Sequence, residues 1–367
     1  MRYKIDQLVQ LIMDYRGKTP KKLGMNWTEN QSDIVALSAK NIKDNKIVNT
    51  DKSHYGSEPL YKSWMKDGDI EPGDILITSE APLGEVYLIT KPIKAILSQR
   101  LFLLRFNKNI VNPWYIFALM NSQSFKSQLF LKATGTTVVG IKQKELRKIE
   151  IELPNIRLQN KIGYIFRVIY KKIIINEIIN DNLLELMDSR FNHFISNSKL
   201  TDATLSDITD IHSGGNKPKE FSKVKTNKFC IPVYSNGVSN NGLYGFTNKA
   251  KVNERSVSIS ARGTIGFTVL HNEPFVPIVR LIYLTSKSVP INFLYLFVRS
   301  MNIQGYGSTQ QQITVPYLKS LKIKVPDISE INKFDANNIS AFDLILENKK
   351  ENILLSDIKE TLLNKYF

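Results

Sequence analysis

The sequence predicts a mixed α+β protein: two tandem-repeated globular segments, residues 1–154 and 199–326, separated by two long helices, residues 155–198 and 327–367. The helices are expected to pair as a coiled coil. Three observations predict this. Sequence blocks of the first half recur in the same order in the second. Each repeat runs into a stretch nearly free of Gly and Pro. The positive charge is concentrated in the two globular segments.

The repeat is long and degenerate. Residues 135–156, from Gly135-Thr136-Thr137 to Pro154-Asn155-Ile156, match residues 307–328, from Gly307-Ser308-Thr309 to Pro326-Asp327-Ile328, at a constant offset of 172. Ile75–Gly84 matches Val257–Gly266 at offset 182, and Arg16–Pro20 matches Gly214–Pro218 at offset 198. Three ordered blocks mark a duplication, because self-similarity kept in order along a chain is the signature of repeated architecture. The falling offsets place the length differences in the connecting loops.

The long helices follow from what is missing. Between Pro154 and Gly214 only Gly163 interrupts, and after Pro326 neither Gly nor Pro occurs. Proline suits a helix start and both residues disfavour a helix interior. Leu158, Ile162, Ile165, Ile169, Ile179, Leu183 and Leu186 recur at three- and four-residue steps, with Lys172 and Asn176 interrupting. Ile339, Phe342, Leu346, Ile353, Ile358 and Leu362 form a looser stripe with a polar gap from Glu347 to Asn352. Such stripes bury one helix face against a partner. At 1.5 Å per residue a helix of about 35 residues is roughly 50 Å long, suited to a spacer or docking strut. Two separate helices, each packed on its own domain, are the alternative. Within the globular segments, Asp74–Thr78, Arg100–Phe106 and Ser256–Ser260 read as strands, and short helices begin at Pro113 and Pro290.

Composition bounds the function. The chain has 367 residues, 42% hydrophobic and 23% charged, which is globular and long enough for two cores. The single Cys230 excludes a disulfide framework or a cysteine zinc site. His54, His193, His212 and His271 are scattered without metal-ligand spacing. No apolar run reaches membrane-spanning length, and Lys4, Asp6, Gln7, Gln10 and Asp14 break up the start as a signal peptide would not be broken. A cytoplasmic protein without membrane contact is expected. Lys and Arg total 50 against 34 acidic residues, a net charge of +16. The globular segments carry +7 and +10, and the helical segments +2 and −3. That distribution favours a polyanion, nucleic acid first, over a general lysine bias.

Catalytic patterns fail one by one. Gly17-Lys18-Thr19 resembles the end of a phosphate loop, but Ile12 stands where the first glycine is required. Gly305-Tyr306-Gly307 lacks the third glycine of a dinucleotide fingerprint. There is no GxSxG, and Asn112-Pro113-Trp114 lacks the second proline of an amino-methylating loop. Asp327, Glu347 and Lys349 match a nuclease pattern formally, yet one helix would hold the two carboxylates about 30 Å apart. No catalytic residue and no metal site are expected in this chain.

Binding residues are expected in the repeated blocks. Arg16, Lys18 and Thr19, with Lys217 in the second half, sit in glycine turns that allow close backbone approach. Ser79 and Glu80 match Ser260-Ala261-Arg262 closely enough that Glu80 and Arg262 become equivalent positions of opposite charge. Ser98, Gln99 and Arg100, the loop residues Thr136 and Thr137, and the run Tyr306, Ser308, Thr309, Gln310, Gln311 and Gln312 complete the set. Gln can pair bidentately with adenine and Arg with guanine in the major groove, so these are base-reading residue types. Ser235-Asn236-Gly237 and Asn240-Asn241-Gly242 read as turns.

Two basic segments, each with a Gly-x-Lys/Thr-Pro turn, a glycine-bearing strand loop, a Gly-Thr-Thr or Gly-Ser-Thr block and a Leu-Pro-Asn or Val-Pro-Asp junction into a long helix, resemble the specificity subunit of type I restriction–modification systems. The likeness covers essentially the whole chain. The family's junction is followed by Glu-Gln; here Leu158-Gln159 and Glu330-Ile331 each keep one member. In the second half Pro277-Ile278-Val279-Arg280 stands where the first has Ser98-Gln99-Arg100. The resemblance implies two target recognition domains, each reading one half of a bipartite, asymmetric site in double-stranded DNA. It implies that the long helices pair antiparallel, giving the chain pseudo-twofold symmetry, and that they set the spacing and dock methyltransferase subunits, two of them, through Leu158, Ile162, Ile165, Ile169, Ile179, Leu183, Ile339, Phe342, Leu346, Ile353, Ile358 and Leu362. It further implies S-adenosylmethionine, magnesium and ATP on the methyltransferase and restriction subunits, and no cofactor in this chain. A magnesium-dependent nuclease and a non-specific basic nucleic-acid scaffold are the competing functions.

Overall fold

The computed structural model describes the chain from Met1 to Phe367 apart from Thr136, Asn302 and residues 304–311. It divides into two compact units, Met1–Ile175 with Glu351–Phe367, and Asn176–Lys350. The long helices run unbroken over Ile156–Asn197 and Ile328–Tyr366, so each supplies one portion to each unit.

The duplication is visible strand by strand. The first unit has a four-stranded antiparallel sheet in the order Val9–Asp14, Leu101–Phe106, Ile75–Thr78, Val86–Leu88. The second repeats it as Thr209–Ser213, Ile282–Ser286, Ser256–Ile259, Thr268–His271. A second sheet centres on Ile34–Leu37, antiparallel to Tyr55–Gly56 and parallel to Ile96–Leu97. Its counterpart centres on Ile231–Tyr234, antiparallel to Leu243–Thr247 and parallel to Val276–Pro277. A two-stranded ribbon closes each unit, Arg2–Lys4 with Glu150–Glu152 and Thr201–Thr204 with Lys322–Val325.

The central strands of the first unit are nearly continuous apolar runs because both sheet faces are covered. Side chains alternate faces along a strand. Leu101 and Leu103 therefore enter one cluster with Trp64 and Leu37, while Phe102 and Leu104 enter another with Phe125 and Ile116. All four residues of Ser256–Ile259 are buried in the matching strand. The first unit adds pieces the second lacks among the described residues, namely the helices Glu58–Trp64 and Gln123–Leu131 and the hairpin Ile42–Ile47.

Short helices cover one face of each main sheet. Pro113–Asn121 starts at its proline, and the Asn112 side chain accepts from the N–H groups of Trp114 and Tyr115, both at 3.0 Å. That is an N-cap satisfying two otherwise orphaned donors. In the second unit the helix is Ile291–Ser300, one residue later than expected, because Pro290 is extended (ψ 143°) and serves as the cap position.

The long helices pair antiparallel inside each unit. In the first, Lys172 Nζ lies 3.1 Å from Glu351, Lys359 sits over the Tyr170 ring, and Phe166 meets Phe367. In the second, Asn348 bonds Asn180, Arg190 bonds Asn338, and Phe194 stacks on Phe334. Numbers rise on one helix as they fall on the other. The contacting face differs from the expected stripe. Ile162, Ile169 and Phe342 are buried and pack within the chain, so they leave the expected docking face. Leu158, Ile165, Ile339, Ile353 and Ile358 are exposed, while Ile179, Leu183, Leu346 and Leu362 are half-buried. Asn176, which the periodicity marked as an interruption, is fully buried.

Candidate nucleic-acid interface

The loop after each central strand is built identically. In the first unit Thr78 N–H donates to Glu85 O and Gly84 N–H to Thr78 O, at 2.9 and 3.0 Å. In the second, Ser260 N–H donates to Phe267 O and Gly266 N–H to Ser260 O, at the same distances. Ala81 and Gly263 occupy the same left-handed position, with φ of 50° and 70°. Ile141 N–H then bonds Ser79 O and Ile313 N–H bonds Ala261 O, so the matching isoleucines of the repeat dock on this loop in both units.

Glu80 and Arg262 stand at the tips of these matched loops. The Glu80 carboxylate lies 2.8 Å from Arg100 Nε, and both side chains are partly exposed. The Arg262 guanidinium instead donates from Nη2 to Gln312 Oε1 at 3.0 Å. Arg100 and Arg280 hold equivalent turns before the inner strands Leu101–Phe106 and Ile282–Ser286, both left-handed, with φ of 63° and 61°. Ser79 and Ser260 are buried beneath the loops rather than presented.

In the first unit Lys18, Thr19, Ser98, Gln99 and Arg100 line one open cleft of about 860 Å³. Ser98 itself is nearly buried and Gln99 is exposed. The fold brings in residues the sequence did not single out. Lys21, Lys40 and Lys52 add charge, and Trp27 stacks on His54 with ring planes 7° apart. Lys18 donates to Trp64 O at 2.7 Å and lies over the Tyr15 ring; burial, then the nearby Lys66 charge, lowers its ammonium pKa. A basic, aromatic-lined cleft can take a polyanion.

Arg16 is not part of that surface. Its Nε and Nη2 grip Asp14 at 2.8 and 2.6 Å, Nη1 bonds Ile141 O, and the guanidinium stacks over Phe102. All three nitrogens make bonds within the fold, which gives Arg16 a structural role. Thr137 is exposed. Thr136, Tyr306, Ser308, Thr309, Gln310 and Gln311 lie outside the described residues.

In the second unit Lys217 Nζ lies 3.8 Å from the Phe221 ring centre and Lys223 Nζ 3.7 Å from that of Tyr244. The two rings are 5.4 Å apart. Seven lysines between Lys217 and Lys251, against Glu220 and no other acid, account for most of this segment's charge. The Ser235-Asn236-Gly237 turn is also a clip: Asn236 accepts from Ala261 N–H at 2.7 Å and donates to Val279 O at 2.8 Å. It ties the Arg262 loop to the Arg280 turn, a role no local signal in the sequence distinguishes from an ordinary turn.

The nuclease pattern does not assemble. Asp327 accepts from Ser329 N–H at 2.8 Å at the start of the second long helix, and Glu347 follows twenty residues along the same helix. Among the described residues no group of His, Cys, Asp and Glu could hold a metal ion, and no helix is long and apolar enough to cross a membrane.

Comparison with known proteins gives one answer. Residues 2–185 and 197–355 match the type I restriction modification DNA specificity domain. A curated Mycoplasma pneumoniae protein named as a type I specificity subunit is 25% identical over 237 residues, 61% of this chain and 62% of that protein. The chain thus spans less than two thirds of that relative. The specificity subunit of a type I restriction enzyme from Methanocaldococcus jannaschii is 25% identical over 335 residues, 80% of this chain and 76% of that one. A crystal structure of a type I restriction–modification S subunit from M. genitalium superposes with a TM-score of 0.61 at 17% identity, covering 100% of this chain and 96% of that chain; it supports the fold.

Proposed function

Because this chain belongs to the family of type I restriction–modification DNA specificity domains, we propose that it is the sequence-reading subunit of such a complex. Each unit reads one half of a bipartite, asymmetric site in double-stranded DNA. The long helices fix the spacing of the half-sites and dock two methyltransferase subunits through side chains such as Leu158, Ile165, Ile339, Ile353 and Ile358, which are exposed. S-adenosylmethionine serves the methyltransferases. Restriction subunits add ATP- and magnesium-dependent translocation and cleavage. This chain supplies recognition and no chemistry.

The observation that carries this reading is the matched pair of loops with different tips, Glu80 beside Arg100 in one unit and Arg262 beside Gln312 in the other. A duplicated scaffold with diverged tips is what an asymmetric two-part site requires, since phosphate contacts position a protein and base-edge contacts specify the sequence. The basic cleft of the first unit and the lysine-rich segment of the second supply the positioning charge.

The test is co-expression with a type I methyltransferase subunit from the same source, followed by mapping of methylated bases. A two-part motif with a fixed gap is expected. Salt-sensitive binding without sequence preference, and no methylation, would favour the non-specific scaffold.

A further inference from the structure

We propose that Arg100 and Arg262 are the base-reading residues of the two units, each recognising the O6/N7 edge of a guanine, and that Glu80 and Gln312 are the positioning residues that aim them. This rests on the DNA-specificity reading above and names the chemistry of its contact.

Arg100 combines three properties. It lies at the open cleft with Lys18, Thr19 and Gln99. Its backbone is left-handed, φ 63°, a conformation that disfavours side-chain-bearing residues and concentrates at functional sites. Its ion pair engages Nε with Glu80, and no other described residue accepts from Nη1 or Nη2. The free end of the guanidinium is a two-donor fork, the shape that matches the two acceptors of guanine. A surface ion pair of this kind adds little stability, so its consequence is directional: it holds a long side chain in one orientation.

Arg262 reaches a similar state by another route. It projects from the loop position equivalent to Glu80, and Gln312 accepts from its Nη2 at 3.0 Å. Nη1 has no acceptor among the described residues. Asn236 fixes the loop carrying Arg262 to the turn carrying Arg280. The first unit thus presents a charge-neutral Glu–Arg pair, and the second an Arg held by a neutral amide. Two readers of one base edge approach from different loop positions, which gives each unit its own register on its half-site.

The experiment is selection of randomised duplex DNA by the full chain, wild type against Arg100→Gln, Glu80→Ala and Arg262→Gln. The wild type should enrich a two-part motif containing guanine in both parts. Arg100→Gln should lose discrimination for that guanine at one base pair by about 10- to 100-fold, with the other half-site intact as proof of folding. Glu80→Ala should relax the same base pair more weakly and steepen the salt dependence, because it unmasks a cation; a merely structural Glu80 would do neither. Arg262→Gln should relax one guanine in the other half-site. A uniform loss of affinity with an unchanged motif would make these arginines phosphate contacts and overturn the inference while leaving the proposed function standing. A wild-type chain with no two-part preference would overturn both.

Discussion

Asn348 donates a hydrogen bond of 2.9 Å to the Asn180 side-chain carbonyl between the antiparallel helices of the second unit. Asn348 is nearly buried there, with 7% of its surface exposed. A part-buried polar pair in a helix seam lowers stability relative to leucine but fixes register, since a slip parts the two amides. Asn348→Leu should therefore cost about 1 kcal/mol by removing the partner of half-buried Asn180. Replacing both by Leu should recover much of that loss. Denaturant midpoints of the full chain decide it, and a harmless single substitution would deny the pair a structural role.

Gly163 is the one glycine within the first long helix, and it marks a close approach. A Cβ there would stand 2.5 Å from Asn112 Oδ1 and 3.0 Å from Tyr115 N. Gly→Ala in a helix interior ordinarily gains about 1 kcal/mol. Here it pushes on the Asn112 cap, and a lost cap alone costs about 0.5–2 kcal/mol. With the steric displacement added, Gly163→Ala should lower the melting temperature; a rise would mean that the helix yields freely.

His271 lies in the second unit against Phe275, with ring centres 4.1 Å apart, and its Nε2 is 2.7 Å from Ser258 Oγ. Burial, then the Lys349 charge, lowers its pKa from 6.5 to about 3. The unfolded chain therefore binds a proton that the folded chain refuses. His271 contributes no penalty above pH 6.5, and stability falls by up to about 1.4 kcal/mol per pH unit as the pH drops below that toward 3. Urea titrations at pH 7 and pH 5 should show the wild type losing more stability than His271→Phe. Equal losses would mean that the ring is solvated.

Lys217 and Lys223 lie over the Phe221 and Tyr244 rings without an acidic partner among the described residues. As phosphate contacts they should act on every sequence alike. Changing both to Gln is expected to weaken binding uniformly and to flatten the logarithmic salt dependence by about one per lysine, with the motif unchanged. An altered motif would instead make them base readers.

The repeat, the long helices and the strands Ile75–Thr78 and Ser256–Ile259 were legible because each rests on short-range pattern: register, periodicity, missing Gly and Pro. What escaped depends on partners far along the chain. Gly163 is an anomaly in the sequence, but its reason is Asn112, 51 residues earlier. Arg16 has the chemistry of a DNA contact, yet Asp14, Phe102 and Ile141 O enclose it. Lys40 and Lys52 join the cleft only because the insertions carrying them fold toward Arg100. The helix stripe is divided between two roles for a related reason. Ile162 and Phe342 serve the domain cores, and periodicity alone does not distinguish a face turned to a core from one turned to a partner.

The most direct test of the account replaces residues 1–154 with the corresponding segment of a relative of different specificity and maps methylated bases with the same methyltransferase. One half-site should change to the relative's, while the other half-site and the gap between them stay fixed. Simultaneous change of both half-sites would contradict independent reading by the two units.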